Sequence, residues 1–471
     1  MQPPDGASPP SRLSTSGSLT AGFFAYVALA ISSTVRREGA IALTILAFAL
    51  CWLAAFRFSQ NPRSHAASNP TSNPPNPPNT PTHPLNLRLL YGALSVLAAS
   101  TAIVQPMYPA LSLYRWAYRL FGALSVLLIG VHAAAPARWR RRTLFIAITA
   151  GALLWLVTPH VIPRPIIDVW QLHQAGINNL LHGKNPYSTP APDIYEGRFS
   201  YGYSIDVYDY LPLNLLLSRP GWALFGDYRY GLCAAFIGTI FLLRAAARTL
   251  QVSPRLTDLL TFALILHPRL PRLLINGWTE PFMFLSLAAF VYLYARAPKS
   301  LLSPIAFLMM PALKQYVAVP TLLYLALRPR WKGVAIGGAI ALCTLIPFLI
   351  WDSHATIEYG VLFVLRRIPF RPDSISIPAL LYPLTGMGVG KAPAVIAQFL
   401  AGGLAYWLLR SRGLAGFLLS STIAVFASFL FGGQAFLNYY FFVGVFLLFA
   451  MLVMAAPQQS ISTPDSDRAE P

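Results

Sequence analysis

Charge is scarce in this chain. Of 471 residues only 11% are charged, and 16 are Asp or Glu against 35 Lys or Arg. So few acids cannot solvate a soluble protein of this length. A hydrophobic content of 55% and a mean hydropathy of +0.54 instead belong to a chain that lies mostly in lipid. Cysteine is nearly missing as well. Cys51, Cys233 and Cys343 each fall inside an apolar stretch, at spacings that fit neither a zinc site nor a redox pair, so they read as packing residues. A P-loop and a dinucleotide-type Gly-rich turn are also absent, which argues against nucleotide-driven chemistry.

What the chain does contain is a series of apolar runs close to the roughly 20 residues that cross a bilayer. They lie near 19–35, 40–56, 87–105, 113–134, 143–161, 229–247, 257–275, 281–296, 334–351, 393–409, 414–431 and 439–456. Two further stretches are ambiguous: 208–225, interrupted by Pro212 and Pro220, and 300–327, broken by Pro304, Pro311 and Pro320 into two short helices or a re-entrant hairpin. The expectation is an all-α polytopic membrane protein, a bundle of about 11 to 13 transmembrane helices. The first run, Leu19 to Val35, has no basic cluster before it and no small-residue exit after it, and is expected to stay as a helix rather than be cleaved. Residues 1–18 and 457–471 read as disordered tails, 19–134 as accessory spans and 143–456 as the main membrane domain. Within the accessory part, the Pro/Asn-rich linker at 59–86 must lie in water, because lipid cannot satisfy its backbone.

The excess of basic residues sits in short clusters between apolar runs, which fits topology signals rather than nucleic-acid binding. Placing "ARWRRR" at 137–142 in the cytoplasm puts 160–210 on the other side, and Arg328, Arg330, Lys332, Arg410 and Arg412 agree. Arg36, Arg37, Arg366, Arg367 and Arg371 then fall outside, against the rule.

The most polar long stretch in the first half is "DVWQLHQAGINNLLHGKNPY", 168–187. At about 100° per residue one side of 168–182 collects Asp168, Gln171, Asn178, Asn179 and His182, and the other Val169, Trp170, Ile177, Leu180 and Leu181. This is the pattern of a short interfacial helix, stopped by Gly183 and Pro186. Asp168 admits two readings. "DVWQ" is a capping box, and a carboxylate there also suits a general base. His173 reads as packing and His182 as a cap. The loop continues through Asp193, Glu196, Asp206 and Asp209, acids suited to sugar hydroxyls or to a divalent cation such as Mg²⁺ or Mn²⁺, although no spacing dictates a metal. A solvated loop is the alternative.

The order of a membrane helix, Asp168, an amphipathic helix with "GKNPY", "YLPLNLLLSRP" at 210–220, "NGWTEP" at 276–281, "LKQ" at 313–315 and "FLNYY" at 436–440 resembles the GT-C superfamily of integral-membrane glycosyltransferases. It is most similar to the polyprenyl-phosphate-mannose-dependent mannosyltransferases of glycosyltransferase family 87. The resemblance covers about 143–456 and departs in two places: about four apolar segments precede the helix before the loop acid, and the usual aromatic-Pro-Pro is "YLP".

The resemblance implies transfer of mannose or another hexose or pentose from a polyprenyl-phosphate donor to a lipid or glycan acceptor, with inversion, on the extracytoplasmic side. It implies Asp168 as base. The departing phosphate needs cations, for which Lys314, Arg366, Arg367 and Arg371 are the candidates, with snorkelling or headgroup contact as their structural alternatives. Asp206, Asp209, Asn276, Glu280, Gln315, Asn438 and Tyr439 are the expected substrate contacts. The expected partners are the donor, the acceptor and the bilayer, with no nucleic acid, in a bacterial inner membrane. A secondary transporter or lipid flippase, and a ligase or polymerase of lipid-linked glycans, are the rival readings.

Overall fold

The computed structural model describes residues 13–32, 34–60, 86–103, 112–192, 207–366 and 368–457. All regular structure among them is helical. Eight helical stretches are long and apolar enough to cross a membrane, or nine if the bent pair Leu270–Asn276 and Glu280–Arg296 forms one span, and three shorter apolar helices stand beside them. One of the eight, Ala392–Leu430, is a hairpin. Gly413 breaks it at a φ of 53°, and Gly402 then lies against Ala424, each eleven residues from the turn. A polytopic helical membrane protein is therefore what the composition and the fold define together.

The breaks follow from proline, glycine and charge. The ambiguous stretch 300–327 is two helices, Leu302–Leu313 and Ala318–Ala326, with Lys314 extended between them at φ −147° and ψ 133°. The other, 208–225, is the helix Pro212–Phe225, with a proline at its first turn and Gly226 in the left-handed region after it. Leu270–Asn276 ends on Gly277 at φ 69°, and the next helix leaves at 119° to it. Three prolines and a left-handed glycine thus place polar backbone inside an otherwise apolar bundle, where it can line a site.

The helix termini sort into two layers. Helix Ala137–Val161 starts in the Arg138 to Arg142 cluster, Arg229–Thr249 ends at Arg248, Glu280–Arg296 at Arg296, and Ala392–Leu409 at Arg410. Contacts tie this basic layer together: Arg412 donates to the Ser59 carbonyl at 2.7 Å, and Arg244 pairs with Asp258 at 2.7 Å. The opposite layer holds the other ends of the same helices, near Ile162, Arg229, Glu280 and Lys314. Every sequence-derived site candidate that is described lies in that second layer.

The accessory N-terminal spans are not peripheral. Helix Leu13–Ser32 runs antiparallel to Leu437–Met454, with Gly22 against Met451 and Gly444 against Tyr26, and one apolar core includes both. Of the three cysteines, Cys51 and Cys233 are buried as expected, whereas Cys343 is exposed, which corrects its reading as a packing residue. Both the lipid-facing and the protein-facing sides of such a helix are apolar, so composition alone does not separate them.

Candidate active site

Residues 168–181 form the expected helix, Asp168–Leu181. Its buried side holds Val169, Trp170, Leu172, His173 and Ile177, while Leu181 is exposed, so the apolar face is rotated slightly from the sequence reading. Gly183 at φ 67° ends it, and the Lys184 amide donates back to the Asn179 carbonyl at 2.9 Å. His182 is the C-cap, its Nδ1 2.8 Å from the Asn178 carbonyl. The capping box is not formed. Ile167 holds the N-cap position, and the Asp168 carboxylate accepts the neighbouring Val169 amide at 2.8 Å. Asp168 is only partly buried.

His173 packs as its apolar position requires. It is fully buried, stacked on Tyr228 at 4.9 Å, and its Nδ1 lies 2.9 Å from the Val169 carbonyl. Burial drives its pKa down to about 3, so it is neutral at any physiological pH. The "NPY" turn then fixes the loop. Asn185 accepts the Tyr187 amide at 2.9 Å, and the Tyr187 hydroxyl donates to the Tyr210 carbonyl at 2.7 Å. Tyr210 and the adjacent Asp209 are thereby held against the helix that begins at Asp168.

Asp209 sits in a constrained position. Burial, and then the charge of Asp168, push its pKa up to about 8, against the opposing influence of Lys314. One of the two loop carboxylates thus carries a proton near neutral pH. The charges of Asp168 and Glu280 both reach Tyr228, and those of Asp209 and Asp168 reach Tyr210. Asp168, Asp209, Glu280 and Lys314 accordingly share one neighbourhood.

Its centre is an ion pair at the two helix breaks. Lys314 Nζ donates to Glu280 Oε1 at 2.6 Å, and Asn438 Nδ2 donates to the same oxygen at 3.0 Å. The ammonium also lies 6.0, 5.9 and 5.9 Å from the ring centres of Tyr210, Tyr316 and Tyr439. Gln315 turns away, donating to the carbonyls of Gly360 and Val361. Several atoms around the pair find no protein partner: Glu280 Oε2, Asn438 Oδ1, Thr279 Oγ1, Asp209 Oδ1 and both amide atoms of Asn276. Asn276, Thr279, Glu280 and Asn438 are all at least nine-tenths buried. Buried polar atoms normally have partners, and each one left without costs about 1–3 kcal/mol. Such a cluster is suited to a ligand rich in hydroxyl groups.

Sequence reasoning missed the bracket beneath this cluster. Arg229, fully buried, grips Asp227 through Nε at 3.0 Å and Nη2 at 2.6 Å, and donates to the carbonyls of Ile275 at 3.0 Å and Ile162 at 2.7 Å. Trp170 Nε1 donates to Asp227 at 3.3 Å, joining the Asp168 helix to the same clasp. The Tyr228 hydroxyl donates to the Gly277 carbonyl at 2.6 Å. A Cβ on Gly277 would stand 2.1 Å from that hydroxyl, and φ is 69°, so glycine is required there on two counts.

The expected phosphate-gripping cations are already paired. Arg366 lies 3.4 Å from Glu358, and Arg371 makes a two-pronged pair with Asp373 at 2.8 and 2.7 Å while covering the Phe436 ring. Phe436 in turn meets Tyr439, so Arg371 is one ring pair from Lys314, whereas Arg366 is 64% exposed. Asp193, Glu196, Asp206 and Arg367 lie outside the described residues. Among the described residues no three His, Cys, Asp or Glu side chains are grouped to hold a metal ion.

No family model, no curated protein and no solved structure matches this chain. The class, a polytopic all-helical membrane protein, rests on the chain's own helices.

Proposed function

We propose that the chain is a membrane glycosyltransferase with a GT-C-type bundle. It moves a sugar, mannose or another hexose or pentose, from polyprenyl phosphate to a lipid or glycan acceptor. The observation that carries the reading is the gathering of Asp168, Asp209, Glu280, Lys314 and Asn438 at one end of the bundle, among tyrosines and buried polar atoms without protein partners. That end is opposite the basic layer. Under the positive-inside rule it faces away from the cytoplasm, where a lipid-linked donor needs no nucleotide. The resemblance in the order of motifs points the same way.

In this reading Asp168 takes the proton of the acceptor hydroxyl. The acceptor oxygen forms its bond to the anomeric carbon from the face opposite the phosphate. The carbon–oxygen bond to phosphate breaks, its electron pair leaves on the phosphate, and the configuration inverts. Asp209, protonated near neutral pH, serves as a hydrogen-bond donor to the sugar. Glu280, Asn438 and Asn276 accept and donate to the remaining hydroxyls, and Tyr439 lies against the ring. A divalent cation, Mg²⁺ or Mn²⁺, would find its oxygen ligands among the loop acids. The setting that fits is a bacterial inner membrane.

The test is a purified preparation given a labelled polyprenyl-phosphate sugar. Release of polyprenyl phosphate that stops in Asp168→Asn, with donor binding retained, is expected. Undiminished turnover in that variant would remove Asp168 as base. A second reading has one observation in its favour: two broken helices meeting at a Lys–Glu pair also occur in secondary transporters. Ion-coupled uptake into proteoliposomes without any sugar transfer would select it.

A further inference from the structure

The stretch "HPRLPRLLIN", 267–276, brings two arginines into the bundle. Arg269 is 7% exposed, its Nε has no protein partner, and the charged group it feels is Arg272, of the same sign. No carboxylate among the described residues pairs with it. A buried guanidinium beside a second one is costly unless an anion meets it. This contrasts with Lys314, Arg366 and Arg371, each of which already has its carboxylate.

The short helix Leu270–Asn276 aims these groups together. At about 100° per residue, Arg269, Arg272, Ile275 and Asn276 fall within about one third of its circumference. Asn276 is fully buried and both its amide atoms lack protein partners. Ile275 joins Tyr114, Tyr118 and Ile162 in a small apolar cluster on which Leu154 packs. Leu154 is also in the wall of a groove of ≈ 530 Å³ that opens between the helices Ser112–Ala134 and Ala137–Val161, lined by Phe121, Leu124, Leu153 and Val157. Through Leu154 the groove on the lipid-facing surface thus adjoins the apolar cluster that holds Ile275 of this short helix.

We infer that Arg269 seats a phosphate group carried by a membrane lipid, with the lipid's chain lying in the groove between helices Ser112–Ala134 and Ala137–Val161. A guanidinium binds two phosphate oxygens at once, and a chain of apolar carbons matches the groove. Asn276, at the other end of the same short helix, adds a buried amide without a protein partner. The inference rests on the proposed transfer for naming the lipid as a polyprenyl phosphate, and its test reads binding, so that each can fail alone.

The experiment uses the full chain in detergent and three probes: a labelled polyprenyl monophosphate, the corresponding polyprenol, and inorganic phosphate. The monophosphate is expected to bind at least tenfold tighter than either of the others. Arg269→Gln should weaken it at least tenfold, and Arg269→Lys less. Val157→Trp, a change at a lipid-facing position that narrows the groove, should weaken the monophosphate as well. Equal binding of the monophosphate by wild type and Arg269→Gln would overturn the assignment, as would equal binding of the polyprenol. Inorganic phosphate binding as tightly as the lipid would overturn the groove. If Arg269→Gln does not elute as a folded protein, Val157→Trp and the polyprenol comparison decide. Phosphate-dependent lipid binding lost in Arg269→Gln, with no transfer from any donor, would keep this seat and sink the transferase reading. Transfer that needs Asp168 but binds donor normally in Arg269→Gln would do the reverse.

Discussion

Replacing Lys314 with Met should be among the most destabilising single changes at the site, and the structure gives the size. Lys314 Nζ is 2.6 Å from Glu280 Oε1, and the two side chains are 12% and 0% exposed. At an effective dielectric of about 20 the attraction at that distance is about 6 kcal/mol before desolvation. Removing the ammonium also removes its own burial cost, so the net loss expected is about 3–5 kcal/mol, most of it from a Glu280 carboxylate left with Asn438 alone. The reverse change is milder. Glu280→Gln leaves the ammonium among three tyrosine rings and with some exposure, and should cost about 1–3 kcal/mol. The double variant removes both charges and should come within about 2 kcal/mol of wild type. Unfolding free energies in mixed detergent micelles, for the wild type, both singles and the double, complete the cycle. Costs that simply add, or a Lys314→Met loss below about 1 kcal/mol, would refute the argument that this pair is electrostatically coupled.

Three further outcomes follow from the same geometry. Gly277→Ala forces a Cβ onto the Tyr228 hydroxyl at a φ of 69° and should cost about 2–4 kcal/mol; a thermal midpoint equal to wild type would contradict it. Asp209, with its pKa raised to about 8 from 3.8, holds a proton in the folded state that the unfolded chain has already released, so stability should fall as pH rises through that window. Asp209→Asn should flatten the dependence between pH 5 and pH 8, and an unchanged slope would count against the assignment. In the basic layer, Asp258→Leu leaves Arg244 and the buried His132 without their shared carboxylate, at about 2–4 kcal/mol. Hydrogen exchange should then rise in the helix Leu87–Ile103, whose Tyr91 is bonded to His132 at 2.9 Å; exchange that is unaltered there would show that the network does not hold that helix.

How much of this was legible depended on whether the signal was local. The helical membrane class, the stop at Gly183, the packing of His173 and the break at Lys314 were readable, because periodicity, glycine, proline and a charge in an apolar run act within a few residues. The expected 11 to 13 spans, by contrast, compare with eight or nine helical stretches long enough to cross among the described residues, the run 257–275 being two short helices. The pairing of Lys314 with Glu280 and Asn438 joins positions 34 and 158 residues from Glu280 and has no local mark. Arg229 shows the limit more sharply. In sequence it is a basic residue at a helix start, where an acid would be favoured; in the fold it binds carbonyls 46 and 67 residues away. The capping box failed for the opposite reason. Its residues are right, yet the helix begins one residue early, and Asp168 lies close enough to Asp209 for its charge to be felt there instead of closing the helix end.

The arginines that broke the charge rule can be understood together. Arg36, Arg37, Arg366 and Arg371 belong to the layer opposite the basic one, where free positive charge opposes the expected orientation. Arg37 donates to the Ala379 carbonyl and lies close enough to Asp373 for its charge to be felt there, and Arg371 grips that same aspartate. Together they hold the Asp373 carboxyl below its ordinary range, Arg371 first. Arg366 is set against Glu358. The backbone around these residues is equally committed, with the Arg371 amide donating to Gly433 and the Ile375 amide to Ala435, next to Asn438. Three of these four arginines are therefore partly neutralised by neighbouring acids, and two of them brace the segment that leads to the ion pair. Arg269 differs from Arg37, Arg366 and Arg371: it is buried and no carboxylate among the described residues pairs with it, which singles it out as a seat for an anion from outside the chain.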